Sequence, residues 1–223
     1  FNQISSGEFH NCGRKIDGDV VCWGNDNENQ SSPPLRDFRQ ISSGNYFNCG
    51  LRIDGGLTCW GANNQGQANP PSGVFTQVSA GNTHTCGILA DKTLDCWGSD
   101  SYGEATPPLG TTFIQVSAGN HHTCGIESDG SLTCWGYDGY GESNPPTGEF
   151  IQVSAGSYRT CGIKSNGSLT CWGRDNYGQV SDAPTTGYFV QIRSGYHHTC
   201  ALRSNGEWYC WGSNQWEQFP VDD

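Results

Sequence analysis

The stretch Phe113-Ile114-Gln115-Val116-Ser117-Ala118-Gly119 is continued by His122-Thr123-Cys124-Gly125-Ile126 and by Ser128-Asp129-Gly130-Ser131-Leu132-Thr133-Cys134-Trp135-Gly136. It closes with Tyr140-Gly141-Glu142 and Pro145-Pro146, and this outline fills the 223-residue chain in six copies. The two cysteines of the copy stand ten residues apart. So do Cys12 and Cys22, Cys49 and Cys59, Cys86 and Cys96, Cys161 and Cys171, and Cys200 and Cys210. The pairs return every 37 to 39 residues, a period at which one supersecondary unit is copied along a solenoid or a propeller. The copies run approximately over 1–37, 38–74, 75–112, 113–149, 150–188 and 189–223, and are expected to form a single domain over 1–223.

The segments are short, rich in β-branched residues and divided by Gly, Pro, Asn and Asp, with no sustained 3.6 period. The expected fold is all-β: a six-bladed propeller with four short antiparallel strands and one disulfide per blade, radial repetition protecting the sheet edges. Strand A is Phe-x-Gln-Val-Ser-Ala-Gly, strand B Thr-Cys-Gly-Ile, strand C Leu-Thr-Cys-Trp-Gly, and strand D follows the Gly-Gln/Glu step. The small residues ending strand A suit a crowded axis. If Cys124 faces Cys134, paired numbers sum to 258, so Ile126 faces Leu132 and Ser128-Asp129-Gly130 is the turn, with Gly130 free to take positive φ. The other turns centre on Asp17, Asp54, Asp91, Asn166 and Asn205, each followed by Gly except Asp91, which is followed by Lys92. Apolar pairs recur beside the sulfurs (Leu51/Leu57, Ile88/Leu94, Ile163/Leu169, Leu202/Trp208); Arg14/Val20 breaks the pattern, so blade 1 is expected to pack less well. The six Trp of the Cys-Trp-Gly steps read as core, facing away from the disulfide against the next blade, with glycines such as Gly125 leaving room.

Only 34% of the chain is hydrophobic, so disulfides would compensate for small inter-blade cores. An even, regularly spaced cysteine set points to an oxidising compartment. Zinc fits poorly, because the spacing is not that of a knuckle and cysteines of separate blades stand too far apart to share one ion. A chain opening at Phe1 with no leader or apolar span reads as a mature or excised extracellular piece, with no membrane insertion. A net charge of −11 argues against nucleic acid and anionic membranes as partners. Asn29-Gln30-Ser31 and Asn166-Gly167-Ser168 are glycosylation sequons that matter in a eukaryotic secretory host.

The pattern seen as Ala80-Gly81, His84-Thr85, Asp91 and Trp97-Gly98, and as Asp54-Gly55, Trp60-Gly61 and Gly66-Gln67, resembles the repeat of the regulator of chromosome condensation family. The resemblance covers the whole chain and implies a β-propeller. That family hosts unrelated activities: a nucleotide-exchange factor, a secreted bacterial inhibitor of β-lactamases, and extracellular domains of plant crinkly-type receptor kinases. The run from Gly66 to Phe75 looks most like the secreted inhibitor. Inhibitor and exchange factor have seven blades where six repeats are counted here, and paired cysteines are typical of extracellular members. Nuclear exchange activity is therefore not expected, and fold alone does not fix function.

In an antiparallel meander the A–B and C–D loops share one end. There the chain gathers Tyr46, Tyr102, His121, Tyr140, Tyr158, Tyr177, Tyr196, His197 and Trp216, beside Asp26, Asp100, Asp138 and Asp175. Large rigid aromatics anchor protein interfaces and also stack on sugars. The secreted inhibitor likewise uses aromatics from these loops. The competing reading has the acids capping their turns and the tyrosines lying flat over Gly or Pro. His10, His84, His122 and His198 share one repeat position, structural in the family, rather than forming a metal ring. Arg159 replaces that histidine and Arg193 replaces a strand-A serine; both could mark a local anionic site. No catalytic motif, phosphate loop, calcium ligand run or cofactor site appears. The expectation is a secreted, non-catalytic module that binds a protein partner, as an inhibitor or receptor-type ectodomain does. A multivalent lectin is the alternative and a hydrolase the third reading.

Overall fold

The computed structural model describes residues 1–215, and Trp216 lies outside the described residues. The inner strands are β1 Gln3–Ser6, β4 Phe38–Ser43, β7 Phe75–Ala80, β10 Phe113–Ala118, β13 Phe150–Ala155 and β16 Phe189–Ser194. The middle strands are β2 His10–Arg14, β5 Phe47–Arg52, β8 His84–Leu89, β11 His122–Glu127, β14 Arg159–Lys164 and β17 His198–Arg203. The outer strands are β3 Val20–Gly24, β6 Leu57–Gly61, β9 Leu94–Gly98, β12 Leu132–Gly136, β15 Leu169–Gly173 and β18 Trp208–Gly212. They form six antiparallel sheets of three strands each.

The register follows from the cysteines. Cys124 lies opposite Cys134 and Ile126 opposite Leu132. The disulfides are Cys12–Cys22, Cys49–Cys59, Cys86–Cys96, Cys124–Cys134, Cys161–Cys171 and Cys200–Cys210, each joining the middle and outer strands of one sheet. The pairing is the expected one, but the two halves of a bridge are not equivalent. Middle-strand Cys86 and Cys161 are fully buried, whereas their outer-strand partners Cys96 and Cys171 are only half-buried. The reason is position. The middle strand is covered on both edges, while the outer strand has a free edge and reaches the core with its apolar face alone. Cys96 packs with Leu94 against the cluster of Phe113 and Val116, and Cys171 packs with Leu169 against that of Phe189 and Ile192.

The turn between middle and outer strands needs a left-handed residue. Gly18, Gly55, Gly130, Gly167 and Gly206 supply it with φ between 79° and 99°; in the third repeat Lys92 does so at φ 71°. A Cβ in that region costs about 1 kcal/mol or more. Lys92→Gly is expected to raise stability by about 1 kcal/mol, since the Lys92 carbonyl that accepts from Phe113 N at 2.8 Å is retained. Urea denaturation reads this directly; an unchanged or lowered midpoint would refute the strain.

Two expectations need correcting. Among the described residues no fourth strand forms: the segment after each of the first five outer strands is a run of turns. In the fourth repeat Asp138 accepts from Ser143 N, Glu142 accepts from Tyr140 N, and Gly141 takes φ 82°. Pro145-Pro146 then removes the donors a ladder needs. Trp60, Trp97, Trp135, Trp172 and Trp211 face away from their own disulfide but pack on the preceding blade, while Trp23 of the first blade is 44% exposed and not core. Trp60 joins Phe38 and Ile41 against Cys12–Cys22 and Val20 of blade 1. The space left by Gly125 is filled by the Phe113 ring of its own blade. Arg14 does lie opposite Val20, and Val20 still joins the blade 1–2 core.

Each of the five internal junctions is therefore a disulfide face laid on a Phe, Ile/Val and Trp face, and a polar set fixes its alignment. The Gln40 amide donates to Val78 O and accepts from Val78 N, satisfying the free edge of the next inner strand; Gln3, Gln77 and Gln115 do the same for their neighbours. Ser5, Ser42, Ser79, Ser117 and Ser154 hydroxyls each accept a backbone N–H from the next blade. The carbonyls of Gln30, Gln67, Glu104, Glu142 and Gln179 accept the indole N–H of the next blade's Trp at 2.9–3.1 Å. The shared histidine is structural: His84 Nε2 meets Thr123 Oγ1 and His122 Nε2 meets Thr160 Oγ1, both at 2.8 Å and buried. The six inner strands surround an open channel of about 1260 Å³ rather than a crowded axis.

Candidate binding face

Backbone hydrogen bonds stitch the loops of one end together. The residue after each outer strand donates to the carbonyl of the loop between inner and middle strands: Ser99 to Thr83, Tyr137 to His121, Arg174 to Tyr158. The opposite end joins the hairpin turns to the next blade's inner strand, as in Phe150 N to Gly130 O. One end thus carries the variable loops, on rigid supports. Buried Glu104, Glu142 and Gln179 side chains accept from the backbone N–H of Tyr102, Tyr140 and Tyr177, which pins each tyrosine at its root. The tyrosine side chains themselves remain about half exposed.

The rings meet across blades 3 to 6. Tyr102 lies edge-on to His121 at 5.2 Å and to Tyr137 at 5.0 Å. Tyr158 meets His121, Tyr137 and Tyr140 at 6.1, 6.1 and 5.6 Å. The Arg174 guanidinium stands 5.2 Å from the Tyr140 ring and 5.7 Å from Tyr158, with the Asn176 amide beside it, whose oxygen, turned toward the guanidinium, is the acceptor that group requires. Tyr196 and Tyr177 flank His197 at 4.5 and 5.3 Å. Tyr158, Arg174, Tyr196 and His197 line one shallow depression, which joins the two groups. Tyr46 stands apart, stacked on Phe9 at 5.1 Å. Burial holds the His121 and His197 pKa values down, helped at His197 by Arg159 and Arg174, so both rings are neutral near pH 7. Burial also pushes Tyr158 up, keeping its hydroxyl protonated.

The acidic residues beside the rings hold turns. Asp100 accepts from Ala105 N and Thr106 Oγ1, and Asp175 accepts from Val180 N and Ser181 N. Arg159 is no open anion site. Its guanidinium is buried in the blade 5–6 junction, donating to Thr199 Oγ1, Tyr196 O and His198 O, and desolvation lowers its pKa to about 10. Two members of the cluster escape a reading of the sequence. Tyr137 and Arg174 directly follow Trp-Gly and look like strand ends; the variability of that position (Asn25, Ala62, Ser99, Tyr137, Arg174, Ser213) is the signal that finds them. Asn29 and Asn166 are exposed, and Asn166 Oδ1 is engaged by Ser168 within its turn.

One three-stranded, disulfide-stapled sheet repeated six times defines a repeat protein. The model of the regulator of chromosome condensation (RCC1) repeat matches residues 1–30, 38–67, 75–104, 113–142, 150–179 and 189–215, and the chain belongs to that family. It is similar to the entire ectodomain of the Physcomitrella patens receptor kinase CR4, with 26% identity and a TM-score of 0.82 over 94% of this chain and 62% of that one. The chain thus spans less than two thirds of that ectodomain. It is similar also to the CRINKLY WD40 ectodomain of the Arabidopsis thaliana receptor kinase ACR4, at 27% identity and TM-score 0.57, over 94% and 93% of the two chains. Saccharomyces cerevisiae Prp20p shares the fold at 15% identity and TM-score 0.82, over 94% and 71%. No curated protein sequence matches the chain.

Proposed function

We propose that the chain is an extracellular, non-catalytic module that binds a protein through the aromatic end of blades 3 to 6. The observation that carries this reading is the continuous group of Tyr102, His121, Tyr137, Tyr140, Tyr158, Arg174, Tyr196 and His197, rooted on hydrogen-bonded loops. Tyr and Arg dominate energetic centres of interfaces because they add contact area at small entropy cost. The extracellular setting is supported by six disulfides with no free cysteine among the described residues, and by the likeness to two receptor ectodomains. Prp20p is described by its binding to Gsp1p and histones, which favours a protein-binding role for the fold.

A lectin with one weak site per blade would need equivalent loops on every blade. The rings instead concentrate on four adjacent blades, which suits one extended partner. The test is chemical cross-linking of the chain to partners in its native source, followed by affinity measurement with the identified protein. Tyr140→Ala and Arg174→Ala are each expected to cost about 2 kcal/mol, a roughly thirtyfold loss of affinity, with the melting temperature retained. Unchanged affinity would move the interface elsewhere, and saturable glycan-array binding lost in the same variants would favour the sugar reading.

A further inference from the structure

Two guanidiniums line the shallow depression between blades 5 and 6. Arg159 is 1% exposed and Arg174 is half-buried, and both lie beside Tyr158, Tyr196 and His197. Burial lowers the Arg159 pKa only to about 10, so the group is charged near pH 7. Its hydrogen bonds all go to neutral oxygens, the Thr199 hydroxyl and the Tyr196 and His198 carbonyls. These satisfy donors but cancel no charge, and a charge taken out of water without a counter-charge is costly. Arg174 has the same lack on the solvent side. Its guanidinium lies over the Tyr140 and Tyr158 rings. With the Asn176 oxygen turned toward it, Nε and Nη2 are met, while Nη1 finds no acceptor among the described residues.

Acids are not scarce in this chain, which holds 22 of them against 11 basic residues. Those of the neighbouring loops are engaged in their own turns. Asp175 accepts from Val180 N and Ser181 N, and Asp138 from Ser143 N and Asn144 Nδ2. Cations elsewhere do meet carboxylates, as Lys15 meets Asp19, Arg52 meets Asp54 and Arg203 meets Glu207. Among the described residues no carboxylate pairs with Arg159 or Arg174. After burial, these same two guanidiniums hold the His197 pKa down, so their field acts at the depression itself. The net charge of −11 opposes an acidic partner at a distance. Physiological salt screens it beyond about 8 Å, so the nearest charges decide the contact.

We propose that this depression recognises an Asp or Glu side chain of the protein partner, with the carboxylate paired to Arg174 among the tyrosine rings and drawn further by Arg159 underneath. The proposal rests on the reading of the aromatic end as a protein-binding face and adds the chemistry of the residue that the partner inserts there. A guanidinium with a free edge takes a carboxylate through two parallel hydrogen bonds. The depression encloses no cavity of its own, so a free small anion gains little from it. The rings must cover the residues that flank the acid, which selects a carboxylate carried on a peptide.

The repeat supplies the control for the buried charge. His10, His84, His122 and His198 hold the Arg159 position in other blades, and His84 meets Thr123 across its junction as Arg159 meets Thr199. Arg159→His therefore keeps the junction and withdraws the charge.

The test uses the isotope-labelled 223-residue chain and the peptide Gly-Tyr-Glu-Tyr-Gly, blocked at both ends. The controls are the same peptide with Gln in place of Glu, and acetate. In an NMR titration the Glu peptide is expected to shift the Arg174 Nε–H and the Tyr158 and Tyr196 ring signals, and to bind about tenfold more tightly than the Gln peptide. Arg174→Gln should abolish that preference, and Arg159→His should reduce it about threefold with the melting temperature retained. Equal binding of the two peptides at these rings overturns the acid pocket and leaves the protein-binding face standing. An equal response to acetate also overturns it, since the rings then play no part. An unchanged preference in Arg159→His overturns the role given to the buried charge. If neither peptide perturbs this end, the acid pocket falls, and the wider reading is judged by the cross-linked partner alone.

Discussion

Reduction of all six disulfides is expected to unfold the chain at room temperature. Each bridge closes a loop of ten-residue separation, worth about 2–3 kcal/mol in the chain-entropy model. The sum of six, about 12–18 kcal/mol, is as large as the whole net stability of roughly 5–15 kcal/mol that a domain commonly holds. The sulfurs also belong to the junctions. Cys49–Cys59 packs on Phe75, Val78 and Trp97, so loss of the bond loosens two blades at once. The order of reduction follows exposure. In Cys86–Cys96 and Cys161–Cys171 one sulfur, that of Cys86 or Cys161, is fully buried, and the same holds for Cys12, Cys49 and Cys124 in their bridges. In Cys200–Cys210 both residues are half-buried. A phosphine titration followed by alkylation and peptide mapping should show Cys200–Cys210 opening first, with circular dichroism lost only as inner bridges open. The paired variant Cys86→Ser/Cys96→Ser should lose more stability than Cys200→Ser/Cys210→Ser. A fully reduced chain that keeps its melting temperature would defeat the staple argument.

What the sequence discloses and what it hides divide along the range of the interactions. The hairpin register is local: a ten-residue cysteine spacing and a Gly after Asp leave one pairing, and Lys92 at φ 71° shows how firmly that register is held. The common end of the variable loops follows from antiparallel counting, and the Ser99, Tyr137 and Arg174 backbone bonds realise it. A fourth strand is a misreading because Gly-Glu-Ser-Asn looks like a permissible edge; Asp138 and Glu142 instead turn the chain on itself, and Pro145-Pro146 cannot pair. Alternation places Trp135 opposite the sulfur side of its sheet. Which neighbour covers it depends on how blades succeed one another, and no short-range pattern encodes that. The same limit hides the work of Gln115, Ser117 and Arg159, whose partners lie about 37–40 residues away. A lone arginine in a repeat position reads as a ligand site until the carbonyls of Tyr196 and His198 are seen around it.

The buried histidines predict a fall in stability on mild acidification. Desolvation lowers the pKa of His84 from its usual 6.5 to about 4 and that of His122 to about 3, with nearby Glu104 opposing the shift at His84 and His84, His121 and Arg159 adding to it at His122. Both rings are neutral in the folded chain, held by Thr123 and Thr160 across the blade junctions. Once unfolded, they take up protons below about pH 6.5. The unfolded state then binds more protons, so stability rises with pH through this window. It is fully present above about pH 6.5 and declines as pH falls toward the folded values of about 4 and 3. Each histidine contributes a slope of about 1.4 kcal/mol per pH unit, so the pair removes on the order of 4 kcal/mol between pH 6.5 and 4.5. Relief of the −11 net charge acts in the opposite direction and is screened by salt. Urea denaturation at pH 7 and pH 5 in moderate salt separates the two effects. His122→Gln should be less stable than the parent at pH 7 yet lose less between pH 7 and 5, the curves converging by about 1.4 kcal/mol per unit. Parallel pH profiles for parent and variant would mean that the junction histidine is protonated in the folded state, and the neutral bridge to Thr160 would have to be abandoned.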